Sequence, residues 1–387
     1  MVTALTSSPD SADKPAALIF RKRLLPWSET FIAAQGGTLE RYRPVFVGYR
    51  FLRDGAAYLE GHDCVVLAEH ALVPGLAKGA YKALGVVPHR WRRALEARRP
   101  ALLHAHFGVN GFAALPLVRA LDIPLVVTYH GMDIAIQKGH AREHRERSRV
   151  FTAADRIIAV SQFIAARLRD AGCPPEKIVV HHIGVDTERF TPGHATDRAA
   201  AQILFVGRLV PKKGLAHLLR AMPHVQRAVP EAELIVAGDG PLRAELEAEA
   251  NHLGARVRFL GVQPPDRIRE LMRRATLLCS PSVVAADGNA EGLPMTIVEA
   301  QASGLPVVAF PSGGSAEGIV HGETGFIVPP ADEDALADHL VELLRNADQR
   351  TRFSSAARSH AVRNFDLRNQ TAKLERIYDE VRGRRGD

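Results

Sequence analysis

The sequence has no apolar run that approaches the ~20 residues a helix needs to cross a bilayer. Its N-terminal stretch, MVTALTSSPDSADKP, lacks a charged segment followed by an apolar one. We therefore expect no secretory signal and interpret residues 1–14 as a disordered tail. Cysteine is scarce, and none of the three residues, Cys64, Cys173 and Cys279, has a neighbour at a metal-binding spacing. These absences indicate a reduced, cytoplasmic setting.

Two nucleotide-binding signatures are also missing. The pattern GxxxxGK[ST] does not occur, which argues against a Walker-type phosphate loop. After the first apolar run, AALIF, the chain continues RKRLLPWSE instead of GxGxxG, which argues against a nicotinamide-dependent oxidoreductase. Two histidine pairs, His104 with His106 and His181 with His182, lack a convincing third ligand, so we expect no bound metal.

The charge of the chain is unevenly distributed. Residues 1–190 contain 26 Lys and Arg against 18 Asp and Glu, whereas residues 191–387 contain 24 against 25. The basic excess lies in clusters at residues 21–23, 89–99 and 140–149. These clusters are either solvated helix faces or a surface attracted to an anionic bilayer or an acidic acceptor. They lack interleaved aromatic residues, so we expect no nucleic-acid partner.

Short apolar runs alternate along the chain with segments whose apolar residues have helical spacing. Seven of the runs lie between residues 16 and 183 and six between residues 202 and 330. This alternation predicts an α/β architecture with two doubly wound, Rossmann-like domains that face a central cleft. We place the domains at residues 15–190 and 191–364. Residues 365–387 are predicted to form a helix that returns to the first domain. In open parallel sheets, ligands bind at the carboxyl ends of the strands.

The loop in FVGRLVPKKGL (residues 205–215) carries three cations between a strand and a helix. Arg208 offers a bidentate fork and Lys213 a compact charge, a combination that suits a diphosphate. The alternative interpretation is that the loop is an ordinary basic turn without a ligand. In VAGDGPL, the backbone at Gly238 is either a tight turn or a surface for a bound nucleotide.

The segment AEGLPMTIVEAQASG (residues 290–304) begins as a loop and continues as a helix. We predict Pro294 as the first helical residue and Gly304 as the C-cap. The backbone at the positive end of this helix suits an anionic oxygen. It comprises Gly292, Leu293, Pro294, Met295 and Thr296, of which all but Pro294 carry an N–H. A carboxylate accepts from neighbouring hydroxyls, so Glu291 and Glu299 suit a sugar and a ribose. The alternative is a capping acid and an exposed helix acid.

In the first half, VVTYHGMD (residues 126–133) ends a strand with His130 and Asp133. A polar cluster at the carboxyl end of a strand is well placed to face the cleft. The alternative is a structural role for His130, since a lone histidine is more often structural.

Together these motifs resemble the retaining glycosyltransferases of the large GT-B family 4, over roughly residues 16–380. The Glu-x7-Glu signature is Glu291 to Glu299, and GRLVPKKG is the diphosphate element. GVDTERFTP, GDGPLR, FLG and GETGFIVPP match as well. The resemblance implies that Arg208 and Lys213 hold the diphosphate and that the backbone near Val262 meets the base. It also implies a nucleotide-sugar substrate, retention of anomeric configuration, no cofactor and no required metal, with His130 orienting the sugar.

A narrower resemblance is to the colanic-acid-type exopolysaccharide glycosyltransferases, carried by LPWSETFIAAQ, HAHFG, YHGMD and SPSVVAADGNAEGLP. In this chain SETF replaces the usual glycine pair, so the candidates for contact with the acceptor are Ser28, Glu29, His106 and Asp133. The alternative for Ser28 is that it caps the first helix. The resemblance favours a UDP-hexose, galactose ahead of glucose, and a lipid-linked saccharide acceptor at a membrane surface. GDP-mannose as the donor remains the alternative, as does a same-fold epimerase or phosphorylase.

Overall fold

The computed structural model describes residues 13–24, 29–52, 59–71, 73–135, 141–193 and 201–384. The first half of the chain forms a seven-stranded parallel sheet in the order β5-β3-β1-β6-β7-β8-β9, and β2 pairs separately with β4. In chain order these strands are β1 (Ala16–Phe20), β2 (Arg23–Leu24), β3 (Arg43–Gly48), β4 (Arg50–Phe51), β5 (Asp63–Val66), β6 (Pro100–His106), β7 (Leu125–Tyr129), β8 (Arg156–Ala159) and β9 (Ile178–Val180).

The second half forms a six-stranded parallel sheet in the order β12-β11-β10-β13-β14-β15. Its strands are β10 (Gln202–Val206), β11 (Glu233–Ala237), β12 (Val257–Gly261), β13 (Leu277–Ser280), β14 (Val307–Ala309) and β15 (Gly325–Ile327). Every apolar run predicted as a strand forms one, which confirms the doubly wound α/β class.

Helices connect the strands and cover both faces of each sheet, as parallel pairing requires. They are α1 (Thr30–Gly37), α2 (Pro74–Leu84), α3 (His89–Glu96), α4 (Gly108–Leu121), α5 (Met132–Ala135), α6 (Ala141–Ala153), α7 (Gln162–Asp170), α8 (Leu215–Ala228), α9 (Arg243–His252), α10 (Pro265–Arg274), α11 (Met295–Ala302), α12 (Glu333–Arg345), α13 (Ala347–Phe365) and α14 (Leu367–Gly383). Within the described residues, no helix combines the length and the apolar character that crossing a bilayer requires.

Burial on both faces explains why the central strands are mostly apolar. All five residues of β1 are buried. Leu18 and Phe20 belong to the core cluster on one face of the first sheet, and Ala17 and Ile19 belong to the cluster on the other face. A strand enclosed in this way needs apolar side chains at successive positions, so its sequence does not alternate with polar residues.

The C-terminal helix α14 packs against the first sheet. Its residues Leu374 and Tyr378 are buried in the same core cluster as Phe46 of β3. The Tyr378 ring meets Tyr42 edge to face, with 5.2 Å between the ring centroids. This return gives the first sheet a covering element that comes from the far end of the chain.

A carboxylate joins the two halves of the protein. Glu317, in the short helical turn Gly313–Gly318, accepts hydrogen bonds from the amides of Gln162 (2.8 Å) and Phe163 (3.1 Å), the first two residues of α7. Its Oε2 also lies 3.3 Å from Nε2 of His182. Although burial acts to raise the pKa of Glu317, the bonds to His182 and to the two amides hold it below its ordinary value. Glu317 therefore binds the positive end of a helix in the opposite half.

We expect Glu317→Ala to loosen the contact between the two halves, because an anion at a helix N-terminus contributes about 0.5–2 kcal/mol. Small-angle scattering should show a larger radius of gyration than for the wild type. Glu323→Ala, at an exposed position in a nearby turn, is the matched control and should leave the radius unchanged. Equal radii for all three proteins would contradict this role of Glu317.

Candidate active site

The carboxyl ends of the two sheets meet at a pair of glycines. Gly131 follows β7, and Gly292 lies in the loop before α11. A β-carbon built on Gly292 would overlap the carbonyl oxygen of His130, and one built on Gly131 would lie 3.0 Å from the Gly292 amide nitrogen. Because neither position has room for a side chain, glycine permits the two loops to touch. The contact brings His130 and Glu291 to the same place from opposite halves.

Helix α11 begins and ends one residue away from its predicted limits. Pro294 occupies the N-cap with extended backbone angles (φ −67°, ψ 110°), and Met295 is the first helical residue. Ser303 is the C-cap, and Gly304 follows it with φ +60°. Pro294 fixes the entry of the chain into the helix, while the left-handed Gly304 ends it. Ile297, Val298 and Ala302 of this helix are buried.

Glu291 is a buried carboxylate beside two lysines. Its side chain is about 7% exposed. Its Oε1 lies 3.1 Å from Nζ of Lys213 and 3.6 Å from Nζ of Lys212. Burial acts to raise the pKa of Glu291, but the charges of Lys213 and Lys212 outweigh it and hold the pKa below its ordinary value. The carboxylate is therefore ionised at neutral pH.

A second glycine contact holds these lysines in place. They belong to the helical turn Pro211–Lys213 between β10 and α8, and Gly214 follows with φ +65°. A β-carbon on Gly214 would overlap the carbonyl oxygen of Pro281, which lies just after β13. Arg208, at the end of β10, is exposed and makes no ion pair with the described part of the chain. Its guanidinium is free to meet a ligand.

Gly238 and Val262, which were also predicted to contact the nucleotide sugar, differ in their surroundings. The amide of Gly238 donates to the carbonyl of Gly261 (2.8 Å), and a β-carbon on Gly238 would overlap the carbonyl oxygen of Gly207. The close approach of neighbouring backbones therefore accounts for this glycine. Val262 follows β12 and is about 53% exposed, so its backbone is accessible to a planar ligand.

Glu299 is half-buried inside α11, in contrast to the exposed helix acid that was the alternative. Burial raises its pKa to about 7, against an opposing effect of Arg269 in α10. Arg269 pairs with Asp266 and lies 5.9 Å from the ring centroid of Phe190. Glu299 therefore exchanges its proton near neutral pH.

His130 forms the opposite side of the site. Its Nε2 lies 3.1 Å from Nδ1 of His106, and the two rings stack with 5.3 Å between centroids. The rings of Phe107 and Phe31 pack against it at 4.4 and 5.1 Å. Burial, followed by repulsion from neighbouring cationic groups, holds the pKa of both histidines well below its usual range. Both imidazoles are neutral at pH 7. Nδ1 of His130 is buried without a hydrogen-bond partner in the described ranges.

Two of the predicted acceptor contacts have structural partners instead. His106 is about 2% exposed and lies behind His130. The carboxylate of Asp133 accepts hydrogen bonds from the amides of Gly108 (2.9 Å), Gly131 (3.0 Å) and His130 (3.1 Å). Direct contact with an acceptor is not favoured for either residue, because one is buried and the other fixes a turn and the start of α4.

Glu29 retains a free oxygen, whereas Ser28 lies outside the described residues. Glu29 pairs with Arg21, whose guanidinium carbon is 4.4 Å from the ring centroid of Phe107. Burial raises the pKa of Glu29, and Arg21 opposes this effect. Oε2 of Glu29 and Nε of Arg21 are buried without partners among the described residues. Arg21 was not predicted as a site residue, because its only signal in the sequence was its place in a basic cluster, which we interpreted as surface.

Two family models match consecutive parts of the chain, "Glycosyltransferase Family 4" over residues 30–189 and "Glycosyl transferases group 1" over residues 186–360. The putative colanic acid biosynthesis glycosyltransferase WcaL of Salmonella typhimurium is 31% identical over 282 residues, which cover 70% of this chain and 69% of that protein. The chain belongs to glycosyltransferase family 4.

Other relatives of this glycosyltransferase differ in the activity that their names give. The Erwinia amylovora amylovoran biosynthesis glycosyltransferase AmsK is 30% identical over a region that covers 71% of this chain and 69% of AmsK. A GDP-mannose-dependent monoacylated alpha-(1-6)-phosphatidylinositol monomannoside mannosyltransferase of Corynebacterium glutamicum is 33% identical, with coverages of 84% and 92%. The crystal structure of Anabaena HepE with UDP-glucose superposes with a TM-score of 0.75 at 22% identity, covering 94% of this chain and 99% of that one. This likeness confirms the GT-B fold.

In this glycosyltransferase, we expect Glu299→Gln to stabilise the protein at pH 8 and to have no effect near pH 4.5. The native pKa of about 7 lies above the ordinary 4.5, so the folded state binds a proton that the unfolded chain has lost. Wild-type stability therefore falls between those pH values, by at most about 1.4 kcal/mol per pH unit. Thermal unfolding across this range measures the difference. Glu245→Gln, at an exposed position of α9, is the control, and equal stability of Glu299→Gln and wild type at pH 8 would contradict the raised pKa.

Proposed function

We propose that this glycosyltransferase moves a hexose from a nucleotide-diphosphate sugar to a saccharide acceptor, with retention of the anomeric configuration. The observation that carries the proposal is the ionised, buried Glu291, which lies beside Lys213 and meets the His130 loop through Gly292. A carboxylate for hydroxyls, cations for phosphates and a neutral imidazole then converge at one point between the two sheets. Because the chain belongs to a glycosyltransferase family, a same-fold epimerase or phosphorylase is disfavoured.

Each part of the donor has a matching group. Arg208 and Lys213 would bind the diphosphate together with the N-terminus of α11. Glu291 would accept from hydroxyls of the transferred sugar, and Glu299 from the ribose diol. The exposed backbone at Val262 would meet the base. Arg208 and Lys213 lie between β10 and α8, Glu291 precedes α11, and Glu299 lies within α11. We propose that a single extended ligand contacts all four side chains.

We propose that the reaction is a front-face substitution, the route that the family resemblance implies. The bond between the anomeric carbon and the diphosphate oxygen breaks, and its electron pair stays on that oxygen. The acceptor hydroxyl oxygen bonds to the same face of the anomeric carbon, and its proton passes to the leaving phosphate oxygen. Lys213, Arg208 and the helix dipole would stabilise the developing negative charge. These cations supply the charge that a metal ion would otherwise provide, and we propose that no metal or cofactor is required.

A UDP-hexose is our proposed donor. The support is the Anabaena HepE structures, which contain UDP with glucose and UDP-glucose, together with the resemblance to colanic-acid-type enzymes. GDP-mannose is the second candidate, favoured by the Corynebacterium relative that spans most of this chain. Both donors have the same diphosphate, so the contacts of Arg208 and Lys213 would serve either.

We expect Arg208→Ala and Lys213→Ala each to lower turnover of the preferred sugar nucleotide by about 30- to 1000-fold. Losing one charged contact to a developing charge in a closed site costs about 2–4 kcal/mol. Enzyme-dependent release of nucleoside diphosphate, measured over a panel of UDP- and GDP-sugars, gives both the rates and the donor. Arg227→Ala, at the opposite end of α8, is the matched control. Wild-type rates in the first two variants would refute the donor site.

The acceptor is proposed to be a lipid-linked saccharide of exopolysaccharide assembly, reached at the cytoplasmic face of a membrane. The first half exposes apolar side chains beside cations, with Leu84 at the end of α2 about 75% exposed. Burial, then repulsion from Lys82, Arg50 and Arg23, lowers the pKa of Lys78, so these cations lie close together around α2. Such a surface suits an anionic bilayer.

We expect the protein to float with anionic liposomes at low salt and to be released as salt screens the attraction. Lys82→Glu should weaken this association by about tenfold or more, because each near-surface cation contributes about 1 kcal/mol. Arg227→Glu makes the same change of charge on the other half of the protein and should float like the wild type. Absence of wild-type protein from the liposome fraction would favour a soluble acceptor instead.

A further inference from the structure

A row of buried polar rings connects the C-terminal helix to the candidate active site. Nδ1 of His104 lies 2.6 Å from the hydroxyl of Tyr378, and its Nε2 lies 2.7 Å from the hydroxyl of Thr128. The His104 and His106 rings stack with 4.3 Å between centroids. Nδ1 of His106 then lies 3.1 Å from Nε2 of His130. The row ends at His130, whose Nδ1 is buried and has no hydrogen-bond partner among the described residues.

His104 and His106 are alike in position but differ in their partners. Both lie on one face of β6 and are 1–2% exposed. The partners of His104 hold α14 and β7 in place, and neither of them reaches the cleft. The partner of His106 is the histidine of the site itself. The packing of the fold therefore accounts for His104 but leaves the role of His106 to be explained.

One proton lies between His106 and His130. Each neutral imidazole has a single N–H, and the two facing nitrogens share one hydrogen bond. When His106 donates, the proton of His130 must sit on Nδ1, which becomes a donor. When His130 donates, its Nδ1 becomes an acceptor. In either case the hydrogen bond with His106 determines whether Nδ1 of His130 donates to a ligand or accepts from it.

The backbone on both sides of this hydrogen bond is held as well. The carbonyl of His106 accepts from Nδ2 of Asn110 (2.6 Å), an almost fully buried side chain. The amide of His130 donates to Asp133 (3.1 Å). With both backbones fixed, the distance between the two rings is set by the sheet, since His106 pairs in register with Thr128 of β7.

We propose that His106 is a positioning residue, which orients the imidazole of His130 and fixes the hydrogen-bonding state of its Nδ1 toward the transferred sugar. This inference rests on the proposed function, because it needs a sugar at His130. It differs from our prediction for His106 from the sequence, which was direct contact with the acceptor. His106 acts here through His130 and touches no substrate.

Three variants test this role. His106→Phe keeps the ring but removes Nδ1, and we expect kcat to fall by about tenfold to hundredfold, with the donor KM and the affinity for UDP changed by less than about twofold. His106→Asn places an amide near the position of Nδ1 and should recover most of the lost rate. His104→Phe is the matched control on the same face of β6. It should lower the melting temperature while leaving kcat close to that of the wild type.

A direct readout comes from NMR of the free protein with 15N-labelled histidine. The nitrogen shifts of His130 should report a single tautomer in the wild type and a mixture of tautomers in His106→Phe. An unchanged tautomer in His106→Phe, or an equal loss of kcat in His104→Phe and His106→Phe, would overturn the positioning role. Wild-type protein that turns over no sugar nucleotide would instead overturn the proposed function, and the NMR comparison would still decide the state of His130.

Discussion

The site depends on the close contact of two backbones at Gly131 and Gly292. The strand end that carries His130 and the loop that carries Glu291 belong to different sheets, and each loop occupies the space that a side chain on the other would need. A third glycine, Gly314, continues the contact by packing against the carbonyl of Gly292 and the β-carbon of Ser161. Glu317 then binds the start of α7 from the same side. Small residues permit the approach of the two halves, and a charge on a helix end holds it.

Burial has opposite effects on the two acids of the Glu-x7-Glu signature. Both Glu291 and Glu299 lose contact with water, which favours the neutral form of a carboxyl. Two lysines reverse this effect at Glu291 and keep it ionised. At Glu299 the counteracting charge comes from Arg269, and the pKa stays raised to about 7. One acid is therefore ready to accept from hydroxyls before a ligand arrives, whereas the charge of the other depends on pH and on what binds.

Much of the fold was predictable from the sequence, because parallel strands that are buried on both faces are mostly apolar. Each predicted run forms a strand, and the helix predicted within residues 365–387 is α14, which packs against the first sheet. The two-residue strands β2 and β4 were missed, since a pair so short has no periodicity to detect. The predicted limits of α11 were wrong by one residue at each end. Both caps depend on backbone angles that proline and glycine favour but do not determine.

The sequence by itself determined the class of the fold, the loops that carry the cations and acids, and the pairing of Glu291 with a helix start, since all of these follow from local periodicity and residue chemistry. Only the tertiary structure decided which buried polar groups meet. His104 and His106 are indistinguishable in the sequence, yet one bonds to Tyr378, 274 residues away, and the other to His130. Arg21 likewise joined Glu29 and Phe107 instead of the surface. Such partners are set by strand register and by the approach of the two sheets, neither of which leaves a periodic trace in the chain.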